Sequence, residues 1–244
     1  MCYNTNGDTM TKTYKIAEKT IEIRSVYENV HKLCADYTAD GTPDFCIETT
    51  DADITAELSS ELSRSPSYLE TLAVYRKISE AILEFDTFLM HGSVMAVDGQ
   101  AYMFTAPSGT GKSTHSRLWR ELLGDRAVMV NDDKPLLRVT DSGVIAYGTP
   151  WNGKHHLGSN IGVPLKAVAI LHRSEQNSVV SAERTRVYPV MMQQIYRPAD
   201  PIKMVKTVQL FDKVLDNVAL FELYCNMEPE AAEISYRALK GTDK

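Results

Sequence analysis

Nine consecutive residues carry the densest chemistry in the chain: Ala106-Pro107-Ser108-Gly109-Thr110-Gly111-Lys112-Ser113-Thr114. A polyphosphate needs several backbone N–H donors aimed into one small space. Gly109 and Gly111 have no Cβ, so the backbone there can curl tightly and come close to phosphate oxygens. Lys112 adds a point charge suited to β- and γ-phosphates, and the Ser113 hydroxyl suits Mg²⁺, a hard cation that prefers oxygen. Ser108, Thr110 and Thr114 complete the set of phosphate-binding candidates. The pattern departs from G-x-x-x-x-G-K-[ST] at its first position, where Ala106 stands for glycine and disfavours a left-handed first turn.

Phosphoryl transfer also needs a metal ligand and a group to accept the nucleophile's proton. Asn131-Asp132-Asp133 lies about twenty residues beyond Lys112, at the end of the next expected strand. Open α/β sheets place their ligands at such strand ends. One of the two aspartates can hold Mg²⁺ and the other can serve as base.

These residues need elements to position them. Residues 101–105 read as a buried strand entering the loop, and 114–123 as a helix leaving it. Residues 88–97 are strand-like, and Asp98-Gly99 forms a two-residue hairpin turn that feeds the loop strand. Residues 127–130 form the strand that ends at the aspartates. Residues 136–140 and 144–147 flank a second hairpin at Asp141-Ser142-Gly143. Residues 167–171 make an apolar strand, with Val179-Val180 as its candidate partner. Helices are expected over 188–196, 202–217 and 228–239, and a strand over 219–225. Upstream, residues 13–16, 21–24 and 44–48 read as a small antiparallel sheet. One helix follows over 68–88, with Ser67 as N-cap, and residues 1–11 read as a flexible tail. The resulting division is residues 12–87 as an N-terminal region and 88–244 as a nucleotide-binding catalytic domain.

The chain has 244 residues, 43% of them hydrophobic, enough for a sizeable core. A net charge of −6 argues against sequence-independent nucleic-acid binding, which needs a basic surface. The four cysteines lack C-x-x-C spacing. There is no signal-peptide pattern and no apolar run long enough to span a bilayer. A cytoplasmic protein without membrane contact is the expectation.

His91-Gly92-Ser93, the hairpin, the Ser-Gly-Thr-Gly-Lys-Ser-Thr segment and Asn131-Asp132-Asp133 together resemble the catalytic domain of HPr kinase/phosphorylase. The glycine segment is also similar to the nucleotide loop of phosphoenolpyruvate carboxykinases, which share that fold. A branch of such kinase-like proteins, some acting on peptide precursors, is closer still in carrying Thr149-Pro150-Trp151-Asn152-Gly153-Lys154. The resemblance covers residues 90 to about 154, and more loosely to 181. It implies an α/β carboxykinase-like P-loop domain with a mixed sheet and flanking helices. It further implies ATP and Mg²⁺ as cofactors, Lys112 as the catalytic phosphate-loop lysine and Ser113 as metal ligand. Asp132 takes the place of the general base, Asp133 that of a second acidic residue near the metal, and His91 that of a catalytic histidine beside the phosphates. Two family features differ. Trp151-Asn152-Gly153 stands where HPr kinases carry a glutamate ligand, and Arg173, Arg184, Arg186 and Arg197 compete for the later catalytic arginine.

The function expected is an ATP- and Mg²⁺-dependent kinase acting on a hydroxyl, with serine of a protein or peptide as the preferred acceptor. A small-molecule kinase, for instance on free serine, is the catalytic rival. A nucleotide-binding regulatory protein that transfers nothing is the rival from another class. Hexamers occur among HPr kinases, so a homo-oligomer falls within the expectation. Lys154 is a candidate to reach a triphosphate. His155-His156 fits a shared metal poorly, because neighbouring side chains on a strand diverge. His115 and Arg117 read as surface residues of the loop helix, and Trp151 fits either a base-stacking or a core-edge role.

Overall fold

The protein is described from a computed structural model, which covers residues 9–58 and 64–241. Its internal contacts divide the chain between Ile82 and Leu83 into two compact units.

In the first unit, β1 (Met10–Ile16) and β2 (Lys19–Ser25) pair antiparallel, Met10 opposite Ser25 and Ile16 opposite Lys19. Tyr14, Ile16, Ile21 and Ile23 supply the buried face at strand period. The turn residues Ala17 and Glu18 have φ of 48° and 60°. That is the geometry hairpins favour, but glycine or asparagine usually provides it, so the turn is silent in the sequence. Residues 1–8 lie outside the described residues, whereas Met10 and Thr11, expected in a tail, begin β1. After α1 (Glu28–Leu33), β3 (Phe45–Glu48) joins β2 in parallel, Ile21 opposite Phe45. The sheet expected to be antiparallel is therefore mixed. The chain between β2 and β3 is long enough for the crossover that a parallel pair requires.

α2 (Asp51–Ala56) starts with a capping box of Thr50 and Asp53. α3 (Pro66–Ala81) is capped by Ser65, not Ser67. Pro66 takes the first helical position, and the Ser65 hydroxyl accepts the Tyr68 N–H at 3.3 Å. The helix expected to reach residue 88 ends at Ala81, tightens through a 3₁₀ turn and leaves through Asp86 at φ 50°.

The second unit holds β4 (Thr87–Leu89), β5 (Ser93–Val97), β6 (Gln100–Thr105), α4 (Lys112–Leu123), β7 (Ala127–Asn131), β8 (Leu136–Thr140) and β9 (Gly143–Tyr147). Then come β10 (Gly162–Arg173), β11 (Ser178–Ser181), α5 (Arg184–Met192), α6 (Pro201–Asn217), β12 (Ala219–Cys225) and α7 (Pro229–Lys240). The strands form one mixed sheet in the order β4-β8-β9-β10-β6-β5-β7, with β12 also on β10 and β11 on β12. β10 is the hub. Its start pairs antiparallel with β9, and its remainder lies parallel to both β6 and β12. Val179-Val180 pairs with β12, not with the 167–171 strand, because β6 and β12 already occupy both edges of that strand.

Both faces of the sheet are covered. Val94, Met103, Val130 and Val168 pack with Phe211 and Leu215 of α6 and Val187 of α5. Met95, Tyr102, Phe104 and Ala169 pack with Leu118 and Trp119 of α4 and Ala231 and Leu239 of α7. This is the alternation required of strands buried on both sides. No helix among the described residues is long and apolar enough to cross a membrane.

Candidate active site

Strand register brings the chemistry-bearing residues to one end of the sheet. β5 pairs antiparallel with β6, Ser93 opposite Phe104, and with β7, Val94 opposite Asn131. The start of β5 therefore meets the ends of β6 and β7. His91 precedes β5, the glycine loop follows β6, and the two aspartates follow β7. All three segments emerge together.

The glycine loop meets its conformational demands at two positions, Gly109 at φ 78° and Gly111 at φ 125°. Ala106 is absent from the positive-φ positions, as its side chain requires. Thr110 braces the turn by donating its hydroxyl to Pro107 O at 2.8 Å. Gly111 is the N-cap of α4 and gives it no side-chain cap; the first bond into the helix runs from His115 N to Gly111 O at 2.9 Å. The amides of Lys112, Ser113 and Thr114 thus belong to the open first turn, where N–H groups and helix dipole favour an anion. Lys112 is only 8% exposed. Its Nζ donates to Ala106 O at 2.8 Å and Pro107 O at 3.4 Å. Burial pushes its ammonium below the ordinary lysine range, while the charge of Asp133 opposes that shift.

Arg173, at the end of β10, holds the loop from outside. It donates through Nη2 to Gly109 O and through Nε to Thr110 O at 3.2 Å. Of the four competing arginines it is the one bonded to the loop; Arg184 pairs with Asp212 and Asp216, and Arg186 with Glu222.

Across from the loop, His91 is fixed through its backbone. Its N–H donates to Gln194 O at 2.7 Å, and its carbonyl accepts the Thr105 hydroxyl at 2.9 Å. The side-chain Nδ1 lies 3.1 Å from Asp133 Oδ1. Burial alone would raise the Asp133 carboxyl. The His91 hydrogen bond, with the charges of His91, Lys134 and Lys112, instead holds it below the ordinary carboxylate range. Asp132 is 9% exposed, and its Oδ1 accepts the Gly153 N–H at 2.5 Å. Asn131 is buried. It ties the 148–161 loop down by donating to Thr149 O at 3.2 Å while its Oδ1 accepts from the amides of Asp133 and Lys134.

His91, Lys112, Ser113, Asp132, Asp133 and Lys154 line one cavity of about 520 Å³. Ser108, Gly109, Gly111 and Thr114 border the same cavity. Thr110 faces a neighbouring cavity of about 630 Å³ at the ends of β10 and β12, which also touches Gly109 and Gly111. The Ser113 hydroxyl and the two carboxylates are hard oxygen donors of the kind Mg²⁺ takes, usually one or two beside water and phosphate. Among the described residues, no cluster of three or more His, Cys, Asp and Glu side chains forms a protein-only metal site.

The readings of His115 and of His155-His156 are corrected. His115 is buried at 2% exposure, not on the surface. It falls in phase with Leu118 and Trp119 on α4, and that phase was the available signal. Gly153, legible only as a turn residue, is needed where it stands: a Cβ would lie 2.7 Å from Asp132 Oδ2. Trp151 is buried. His155 and His156 sit in a turn, not on a strand, with His156 at φ 48°. Arg117 is exposed, as expected.

No family model and no curated protein matches the sequence. Among solved structures, the chain is similar to the HPr(Ser) kinase/phosphatase from Coxiella burnetii. That match covers 63% of this chain and 99% of the other, with 11% identity and a TM-score of 0.34.

Proposed function

We propose that the protein is an ATP- and Mg²⁺-dependent kinase of the HPr kinase-like, carboxykinase-type P-loop class, acting on a serine-type hydroxyl of a protein or peptide. One observation carries the reading: a glycine turn with a buried lysine and an uncapped helix start shares a cavity with a carboxylate held from the opposite side. The first half suits polyphosphate. The second suits a proton acceptor, and a site that only bound nucleotide would not require it.

In this reading the loop amides and Lys112 hold the β- and γ-phosphates, and Lys112 exchanges its bonds to Ala106 and Pro107 for phosphate oxygen. Ser113 and Asp133 hold the metal. Bound Mg²⁺ supplies charge neutralisation across the β- and γ-phosphate oxygens. Asp132 lies opposite the loop and accepts the acceptor's hydroxyl proton. The acceptor oxygen bonds to the γ-phosphorus, the bridging P–O bond breaks, and ADP leaves with that electron pair. The Gly153 N–H orients the Asp132 carboxylate, and His91 orients Asp133.

The test is transfer of label from γ-labelled ATP to serine-bearing acceptors. Asp132→Asn should lower transfer by about a thousandfold, the scale of a lost general base, while ATP affinity stays close to that of the unaltered protein. Transfer at the normal rate by Asp132→Asn would remove the assignment.

A further inference from the structure

A second cavity of about 350 Å³ adjoins the first and shares Ser113, Thr114, Asp132 and His155 with it. The kinase reading gives it no role. Its lining from α4 is Ser113, Thr114, Arg117 and Arg120, of which Ser113, Arg117 and Arg120 are spaced i, i+4 and i+7, so it follows one helix face for about 10 Å. Helical side chains lean toward the N-terminus. Both arginines therefore tilt toward the end where Ser113 and Asp132 stand. Met129 and Leu157 provide an apolar wall.

The charges in this cavity are incompletely matched. Arg117 donates to Glu121 at 2.6 Å in an exposed i, i+4 pair. Arg120 is exposed, and its guanidinium makes no hydrogen bond or ion pair with any described residue. Arg120 thus brings an unmatched positive charge to the cavity that Asp132 also lines, and Arg117 a second one shared with Glu121. Arg120 lies seven residues beyond Ser113, too far down the helix to serve the phosphates at the glycine loop. A guanidinium fork fits carboxylate or phosphate oxygens in two parallel bonds. The volume holds about ten water-sized groups, room for one amino-acid residue and a neighbouring anionic group.

We propose, resting on the kinase reading, that this cavity is the acceptor subsite and that Arg117 and Arg120 select an acceptor carrying a carboxylate or phosphate a few atoms from its hydroxyl. The hydroxyl lies at Asp132, the stem lies on Met129 and Leu157, and the anion meets the arginines. The two arginines determine specificity and take no part in the transfer itself.

The experiment measures kcat/KM for transfer from Mg²⁺-ATP to two matched pairs of acceptors. One pair is L-serine and L-serinamide. The other is a capped pentapeptide with serine between two glutamates and its counterpart with two glutamines. The anionic member of at least one pair should be favoured about tenfold or more, the scale of one charge-assisted hydrogen bond. The responding pair distinguishes a free hydroxy acid from an acidic peptide. In the Arg117→Gln/Arg120→Gln variant the ratio should fall to about one, and the double lysine variant should regain part of it. ATP affinity, measured alongside, reports whether the variant retains its nucleotide site. Equal transfer to both members of each pair, or a ratio that survives the double glutamine variant, overturns the subsite and leaves the kinase reading intact. No transfer to any of the four by the unaltered protein, with ATP bound, removes the kinase reading and the subsite together.

Discussion

His115 makes the second unit acid-sensitive, and the reason lies in one saturated hydroxyl. Ser235 Oγ donates to Ala232 O at 3.1 Å. Its two lone pairs then accept Trp119 Nε1–H at 2.8 Å and, at 2.9 Å, His115 Nε2. With the Ser235 proton given to Ala232, the histidine is the donor at Nε2, which leaves Nδ1 unprotonated. Nδ1 is buried and has no hydrogen-bond partner. A proton placed there would be a buried N–H⁺ without an acceptor. Burial accordingly pushes the His115 pKa down to about 4.

The sign follows from proton counting. Between about pH 6.5 and 4 the unfolded chain binds a proton at His115 that the folded chain refuses, so stability falls as pH falls through that window. With those two pKa values, His115 alone removes about 2.5 kcal/mol between pH 7 and pH 4.5. His115→Gln keeps an N–H donor for Ser235 and cannot titrate. It should start about 1 kcal/mol less stable at pH 7, through loss of the edge contact with Phe104, and should lose about 2.5 kcal/mol less on acidification. Urea unfolding read by tryptophan fluorescence suits the test, because both tryptophans, Trp119 and Trp151, lie in the second unit. Parallel stability profiles for the two proteins from pH 7 to 4.5 would refute the reasoning, as would an NMR titration placing the His115 pKa near 6.5.

Two further outcomes follow from single contacts. Gly153→Ala puts a Cβ 2.7 Å from Asp132 Oδ2 and should displace the carboxylate, cutting phosphoryl transfer about a hundredfold with little change in ATP affinity; an unchanged rate would show that the Asp132 position is immaterial. In the first unit, the fully buried Glu70 carboxylate accepts Val26 N at 2.6 Å, Tyr27 N at 2.7 Å and the Thr49 hydroxyl at 2.6 Å. Glu70→Ala strands those donors and should cost that unit about 3–5 kcal/mol, read as faster amide exchange in β2.

The sequence discloses what is local. Glycines at left-handed positions, the Asp98-Gly99 turn at φ 51° and 80°, and prolines opening α6 and α7 are visible because each solves a backbone problem on the spot. Short elements without a full period are not visible. α1 and α2 have six residues each, too few to show a stripe. Partner choice is equally hidden: β11 pairs with β12 because both edges of β10 are taken, and the parallel seating of β3 depends on a crossover. For the candidate site, residue types were legible, but the supports were not. Arg173 is distant in sequence from the loop it clasps, and nothing near Gly153 announces that a carboxylate needs its bare Cα.

A single irregularity in β7 ties these levels together. Pairing with β5 runs Val97–Ala127, Ala96–Val128, Met95–Met129 and then Val94–Asn131, so Val130 is an extra residue. A bulge of this kind re-aims every side chain beyond it, because the faces of a strand alternate at period two. Met129 and Val130 lie in the cores on opposite faces of the sheet, as ordinary alternation requires. The bulge carries the strand end one position further, so that Gly92 N bonds to Asp133 O at 3.0 Å. Without the extra residue, regular pairing would set Asp132, not Asp133, opposite Gly92. In the proposed reading, the roles of the two aspartates therefore depend on the bulge together with the bend that Asn131 fixes through the amides of Asp133 and Lys134.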